Sequence, residues 1–129
     1  RLIDGKTTGI GEWEASYNNT HRAIDLIPKD VMICDWHYEN AHPTPVLFAS
    51  KGLRVVACPW RDGNVAAEQV DLLDRLRKNG SKEMASRYAG MLHTYWNSAR
   101  SFLDGMAGKT EKTSNDPSVK CFRELMKRW

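Results

Sequence analysis

The chain has 129 residues, 41% of them hydrophobic and 27% charged, with a net charge of +3. These figures fit one globular domain, and no apolar run in the sequence reaches the about 20 residues that a membrane-spanning helix needs. Three cysteines, Cys34, Cys58 and Cys121, with no C-x-x-C spacing, signal neither a disulfide framework nor a zinc knuckle.

The first residues carry no secretory signal, and a start at Arg1 instead of Met leaves room for a longer parent chain. Basic residues sit beside acids on helix-like segments such as "DLLDRLRKNGSKE". A solvated helix face explains them better than a nucleic-acid patch, so no nucleic-acid partner is expected.

In chain order, "RLID" reads as the tail of a strand. Residues 19–27 read as a short amphipathic helix with Ala23, Ile24 and Ile27 on one side, ended by Pro28. "VMICDW" is a short continuous apolar run, the mark of a buried strand. "HPTPVLFASKG" is a loop and a short helix that stops at Gly52. "LRVVACPW" is a second strand. Asp62, Gly63 and Asn64 turn into the clearest helix, "VAAEQVDLLDRLRK", with Asn64 as its cap and Val65, Val70, Leu73 and Leu76 as its apolar face. Asn79-Gly80 closes it. "KEMASRYA" is a further short helix and "GMLHTYW" a third strand. Asn97 or Ser98 caps a helix through Met106. "GKTEKTSND" is a polar linker, and Pro117 opens the last helix. That helix, "KCFRELMKRW", is amphipathic and basic, and reads as packed on the protein instead of lying on a membrane. Residues 1–108 thus form the βα part, 109–116 the linker and 117–129 the terminal helix.

Strands alternating with helices imply an α/β fold of parallel βα units. Strands of unbroken apolar character predict a sheet covered on both faces, with Cys34 and Cys58 as small buried hydrophobes. No His, Cys or carboxylate spacing suggests a metal. "DGKTTGIG" lacks the phosphate-loop order, and "GIGEWEAS" is no dinucleotide fingerprint, so no cofactor is expected. Glu12 and Glu14, flanking Trp13, read as loop carboxylates in water.

Parallel βα folds bind ligands at the carboxyl ends of their strands. Each of the three strands ends in tryptophan: Trp36, Trp60 and Trp96. Core packing accounts for any one ring; three at equivalent ends favour a shared rim. Several aromatic walls with a few polar tips suit a sugar, whose C–H faces stack on indole and whose hydroxyls seek hydrogen bonds. Asp35, His37, Tyr38, Glu39, Asp62 and Tyr95 are the nearby polar tips. His37 taken alone reads as a hydrogen-bonded structural histidine.

"IPKDVMICDWHYE", "FASKGLRVVACPW" and "GMLHTYW", taken in this order, resemble the late strands of glycoside hydrolase family 20-like barrels, the β-N-acetylhexosaminidase type. The likeness covers residues 30–106. It implies the C-terminal part of a (β/α)8 TIM barrel, since a whole barrel takes about 250 residues. It further implies retaining hydrolysis in which the substrate's acetamido group is the nucleophile, outside the usual two-carboxylate scheme. The family's adjacent Asp-Glu pair has no counterpart here, because neither Asp-Glu nor Glu-Asp occurs in the chain. The isolated chain is therefore expected to be inactive.

What the resemblance carries over is a binding wall for an N-acetylhexosamine or related glycan, with Trp60 and Trp96 as the best matches and Trp36 and Tyr95 joining them. Where the family places Trp-x-Glu this chain has Trp96-Asn97-Ser98, leaving Asn97 as the hydroxyl partner. The implied partners are the rest of the barrel or a second copy across open sheet edges, and the implied compartment is periplasmic or extracellular. Two other readings stay open: a non-catalytic sugar-binding α/β module, and a flavodoxin-like regulatory domain. The latter wants an acidic cluster or phosphate loop that the sequence does not offer.

Overall fold

The computed structural model describes residues 3–4 and 15–128. Glu12, Trp13 and Glu14 lie outside them. The chain divides into two compact units, residues 1–31 and 32–129.

In the first unit β1 (Ile3–Asp4) pairs in parallel with β2 (Ala15–Ser16) as a two-stranded sheet of its own. The strand expected at "RLID" is thus present, but its partner is β2. A helix follows over Thr20–Leu26, wound as a 3₁₀ and not an α-helix. Only Ile24 of its apolar residues is buried, while Ala23 is exposed. The buried Ser16 hydroxyl accepts the His21 backbone N–H at 3.0 Å and lies 3.0 Å from His21 Nδ1.

The second unit is a three-stranded parallel sheet in the order β3 (Met32–Asp35), β4 (Arg54–Ala57), β5 (Tyr88–Met91). Helix α1 (Thr44–Ser50) crosses from β3 to β4. Helices α2 (Gly63–Asn79) and α3 (Lys82–Ala85) cross from β4 to β5. Then come α4 (Ala99–Met106), α5 (Glu111–Ser114) and α6 (Pro117–Arg128). The segment read as a linker thus contains one helical turn, capped by Thr110.

Local chemistry accounts for these boundaries. α1 ends where Gly52 takes φ 83, and the Leu53 N–H reaches back to the Phe48 carbonyl at 3.0 Å. This is the glycine stop that closes many helices, sealed by the burial of both Phe48 and Leu53. α2 is capped by Asp62, whose carboxylate accepts from the N–H groups of Asn64 (2.8 Å) and Val65 (3.3 Å). The cap therefore falls two residues before Asn64. Ser98, not Asn97, caps α4.

The core lies on the helix side of the sheet. Val55, Ala57 and Tyr88 are buried there beneath Phe48 and Ala49 of α1 and Val65, Ala66 and Leu73 of α2. The buried stripe of α2 runs through Gln69, so Val70 and Leu76 of the expected face are only half-buried. Helix α6 packs along α2 and buries Val119, Cys121 and Leu125. Gly105 lets α4 close on its neighbours, because a Cβ there would lie 2.6 Å from the Thr113 carbonyl oxygen and 2.8 Å from Val119 Cγ2.

The opposite face departs from the expected two-sided cover. On the central strand Val56 is buried, and Cys58 just beyond it is sealed, but Met32 is 43% exposed and Cys34 is exposed too. Both sit on β3, an edge strand with a neighbour on one side only. Cys34 is therefore not the buried filler the sequence suggested.

Candidate functional site

The sheet is parallel, so β3, β4 and β5 all end on one side. Past β3 successive side chains go to opposite sides, as their contacts show. Asp35 and His37 turn to the helix side; Trp36 and Tyr38 turn to the other. The third segment follows the same rule. Pairing continues beyond β5, with the Leu92 N–H on the Ala57 carbonyl and the Thr94 N–H on the Pro59 carbonyl, both at 2.9 Å. Thr94 and Trp96 therefore share the side of Trp36 and Tyr38.

Four rings gather there. Trp36 and Trp96 meet edge to face, with centroids 5.3 Å apart and planes at 83°. Tyr38 lies 6.4 Å from Trp36 and 5.3 Å from Trp60. Trp36 and Trp96 remain 55% and 57% exposed, while Tyr38 and Trp60 are half-buried. Indoles that touch each other and still face water form a platform, not a core.

Hydrogen bonds fix the platform's centre. Trp96 donates its indole N–H to the Tyr38 hydroxyl at 3.1 Å. Thr94 Oγ1 lies 3.3 Å from the same hydroxyl and 3.0 Å from the Pro59 carbonyl. A threonine hydroxyl has one proton, and only the carbonyl is unable to supply its own. Thr94 therefore donates to Pro59, and Tyr38 donates to Thr94.

Behind the platform the Trp60 carbonyl is held twice, by His93 Nε2 at 2.8 Å and by the buried Ser118 hydroxyl at 2.9 Å. A carbonyl only accepts, so His93 carries its proton on Nε2. Burial lowers the His93 pKa below the ordinary histidine value, although its hydrogen bonds to Trp60 and Ser118 act the other way. His93, Thr94 and Ser118 were not singled out in the sequence; the strand's alternation was the available signal for the first two. Arg61 was missed as well. Its guanidinium stands 4.5 Å over the Trp60 ring and pairs with Glu39 at 3.3 Å. A cation next to a strand-end tryptophan was the clue.

The remaining expected residues lie elsewhere or are engaged. The Asp35 carboxylate, nearly buried, accepts from the Thr44 hydroxyl at 2.6 Å and lies 3.2 Å from His37 Nε2. His37 also stacks near His42, with centroids 4.5 Å apart, and its carbonyl accepts from Gln69 Nε2 at 2.7 Å. His37 is thus a structural histidine of the helix side. Tyr95 packs on Phe102, with centroids 5.1 Å apart, and its hydroxyl donates to Asp116 at 3.4 Å. Asn97 donates to the same carboxylate at 3.4 Å. Glu39 stands at the rim's edge, held by Arg61, and Asp62 is spent on the α2 cap.

Burial pushes the Cys121 thiol up to about 11. It also raises Cys58, with the neighbouring Cys34 adding to the effect. Both stay protonated at neutral pH and act as fillers, not nucleophiles. Among the described residues no three His, Cys, Asp or Glu side chains gather as metal ligands, and no helix is long and apolar enough to cross a membrane. The arrangement can offer stacking faces, an indole-oriented hydroxyl and a guanidinium. Of the carboxylates expected at the rim, each is already engaged. No family model and no curated protein matches the chain.

Proposed function

We propose that the chain supplies the sugar-binding wall of a carbohydrate-active protein, built as consecutive units of a glycosidase-like (β/α)8 barrel of the β-N-acetylhexosaminidase type. One observation carries this reading: Trp36, Tyr38, Trp60 and Trp96 gather where three parallel strands end. Strand ends are where such sheets bind ligands. Exposed indoles beside an oriented hydroxyl match a pyranose, which has apolar faces and polar edges. An N-acetylhexosamine fits well, since its acetamido methyl adds apolar surface. The barrel part of the reading is supported by strands that neighbour one another in chain order, with helices packed on one face.

The carboxylates favour a role in binding over a role in proton transfer. Asp35 and Asp62 are engaged within the fold, and Glu39 is paired with Arg61. On this reading none of these three described carboxylates serves as a general acid, and another group supplies it. The same observation favours, as the second reading, a sugar-binding module that does no chemistry.

The test is a titration with N-acetylglucosamine and its β-1,4-linked dimer, followed by intrinsic tryptophan fluorescence. Wild-type protein is expected to saturate. Trp36→Ala and Trp96→Ala are each expected to weaken binding about tenfold or more, by analogy with aromatic stacking worth about 1–3 kcal/mol per ring. Unchanged affinity in both variants, with folding intact, overturns the proposal.

A further inference from the structure

The chain that carries Trp36 and Tyr38 is held from the helix side. Asp35, just before it, accepts from the Thr44 hydroxyl at 2.6 Å. Gln69 of α2 donates its side-chain N–H to the His37 carbonyl at 2.7 Å. That carbonyl belongs to the planar peptide joining His37 to Tyr38, so its direction bears on how Tyr38 leaves the chain. Strand β3 has ended at Asp35, and the next helix starts only at Thr44. Among the described residues no backbone–backbone hydrogen bond reaches Trp36 or Tyr38. Gln69 thus supplies a hold that the sheet ladder does not.

Packing alone does not account for this side chain. Gln69 is 4% exposed and shares the buried stripe of α2 with Val65, Ala66 and Leu73. Its Nε2 is bonded, but its buried Oε1 has no partner among the described residues. A buried acceptor left unpaired costs stability. Methionine, unbranched like glutamine, fills such a space without that cost. What the amide adds is a donor on the backbone behind the platform.

From the His37 carbonyl the hold passes to the ligand face. The Tyr38 ring lies 5.3 Å from Trp60, and its hydroxyl accepts the Trp96 indole N–H at 3.1 Å. Resting on the sugar-binding reading, we infer that Gln69 is a positioning residue of the aromatic platform: its amide sets the orientation of Tyr38 and, through Tyr38, of Trp96. Buried in α2, it acts through Tyr38 and not by touching sugar.

The experiment compares Gln69→Met and Gln69→Leu with wild type in the whole chain. It uses titration with the β-1,4-linked dimer of N-acetylglucosamine, denaturant unfolding, and NMR of the indole N–H groups without ligand. Each variant loses one hydrogen bond and is relieved of one unpaired buried acceptor, so the unfolding midpoint is expected to move little. Sugar affinity is expected to fall about fivefold, the scale of one hydrogen bond. The Trp96 indole resonance is expected to shift in the ligand-free variants. Gln69→Met added to Tyr38→Phe is expected to cost little further affinity, because both act through Tyr38. Variants that bind as tightly as wild type, that leave the Trp96 resonance in place, or that lose stability in step with affinity overturn the inference and leave the platform standing. Losses that multiply in the double variant do the same. Wild-type protein that binds no sugar overturns the sugar-binding reading, and this inference with it.

Discussion

The indole N–H of Trp96 reaches the hydroxyl of Tyr38 across 3.1 Å, although the two residues are 58 positions apart. That bond ties the end of the first strand of the sheet to the extension of the last. Together with the edge-to-face contact on Trp36, it sets the pose of an exposed indole.

Tyr38→Phe removes that acceptor without changing the ring. The hydroxyl also bonds Thr94, so the expected loss is about 1–3 kcal/mol of stability, the usual worth of two hydrogen bonds. Sugar affinity is expected to fall as well, because Trp96 is no longer held. Denaturant unfolding together with a sugar titration checks both. Unaltered stability and unaltered binding would mean that the bond does not organise the platform.

Asp62→Ala separates the capping role of Asp62 from the ligand role suggested by its sequence position. Loss of a carboxylate cap typically costs about 1 kcal/mol. Stability is expected to drop by that amount while sugar affinity holds, as read by denaturant midpoint and titration. A loss of affinity with stability preserved would return Asp62 to the rim.

The difference between the two roles shows what the sequence could and could not convey. Strand and helix order was readable, because β-branched runs, Gly52 and Pro117 act locally. The gathering of Trp36, Trp60 and Trp96 followed from parallel strands alone. Tyr95 and Asn97 point away from the side that Trp96 shares with Trp36, because neighbours in an extended chain point oppositely, and sequence adjacency alone does not separate the two sides. Cap position depends on backbone angles one or two residues away, which is why Asp62 and not Asn64 holds α2. Exposure of Cys34 depends on its strand lying at a sheet edge, which no local pattern encodes. Gln69 in the buried stripe of α2 donates its Nε2 to a carbonyl 32 residues away, while its buried Oε1 has no partner among the described residues.

Acid is expected to loosen the platform through His93. Its folded-state pKa lies below the ordinary histidine value because the ring is buried, so the unfolded chain takes up this proton first. The contribution of neutral His93 is complete above the ordinary histidine pKa and is lost as pH falls from there through the lowered folded value. Thermal unfolding at stepped pH should show this loss, and His93→Gln should flatten it. A wild-type curve as flat as the variant's would remove His93 from the account.

Gly105→Ala tests the close approach of α4 to its neighbours. Alanine favours helices by about 1 kcal/mol over glycine, yet the added methyl has backbone oxygen 2.6 Å away. Overpacking of this kind costs about 1–3 kcal/mol, so net destabilisation is expected in a denaturant series. A gain in stability would show that α4 shifts freely.

Open edges give a prediction about assembly. β3 and β5 are the edge strands of the three-stranded sheet, and unpaired edges invite pairing with another copy. Sedimentation at rising micromolar concentration is expected to show self-association of the 129-residue chain, reduced by Met32→Lys, which charges an exposed apolar position on β3. A monomer at every concentration would count against it.

The most direct test of the central claim is to follow the indole N–H resonances of Trp36, Trp60 and Trp96 by NMR while N-acetylglucosamine is added. A shared platform requires all three to shift along one binding curve with a common Kd. Resonances that stay in place at saturating sugar, or that move with unrelated affinities, would contradict it.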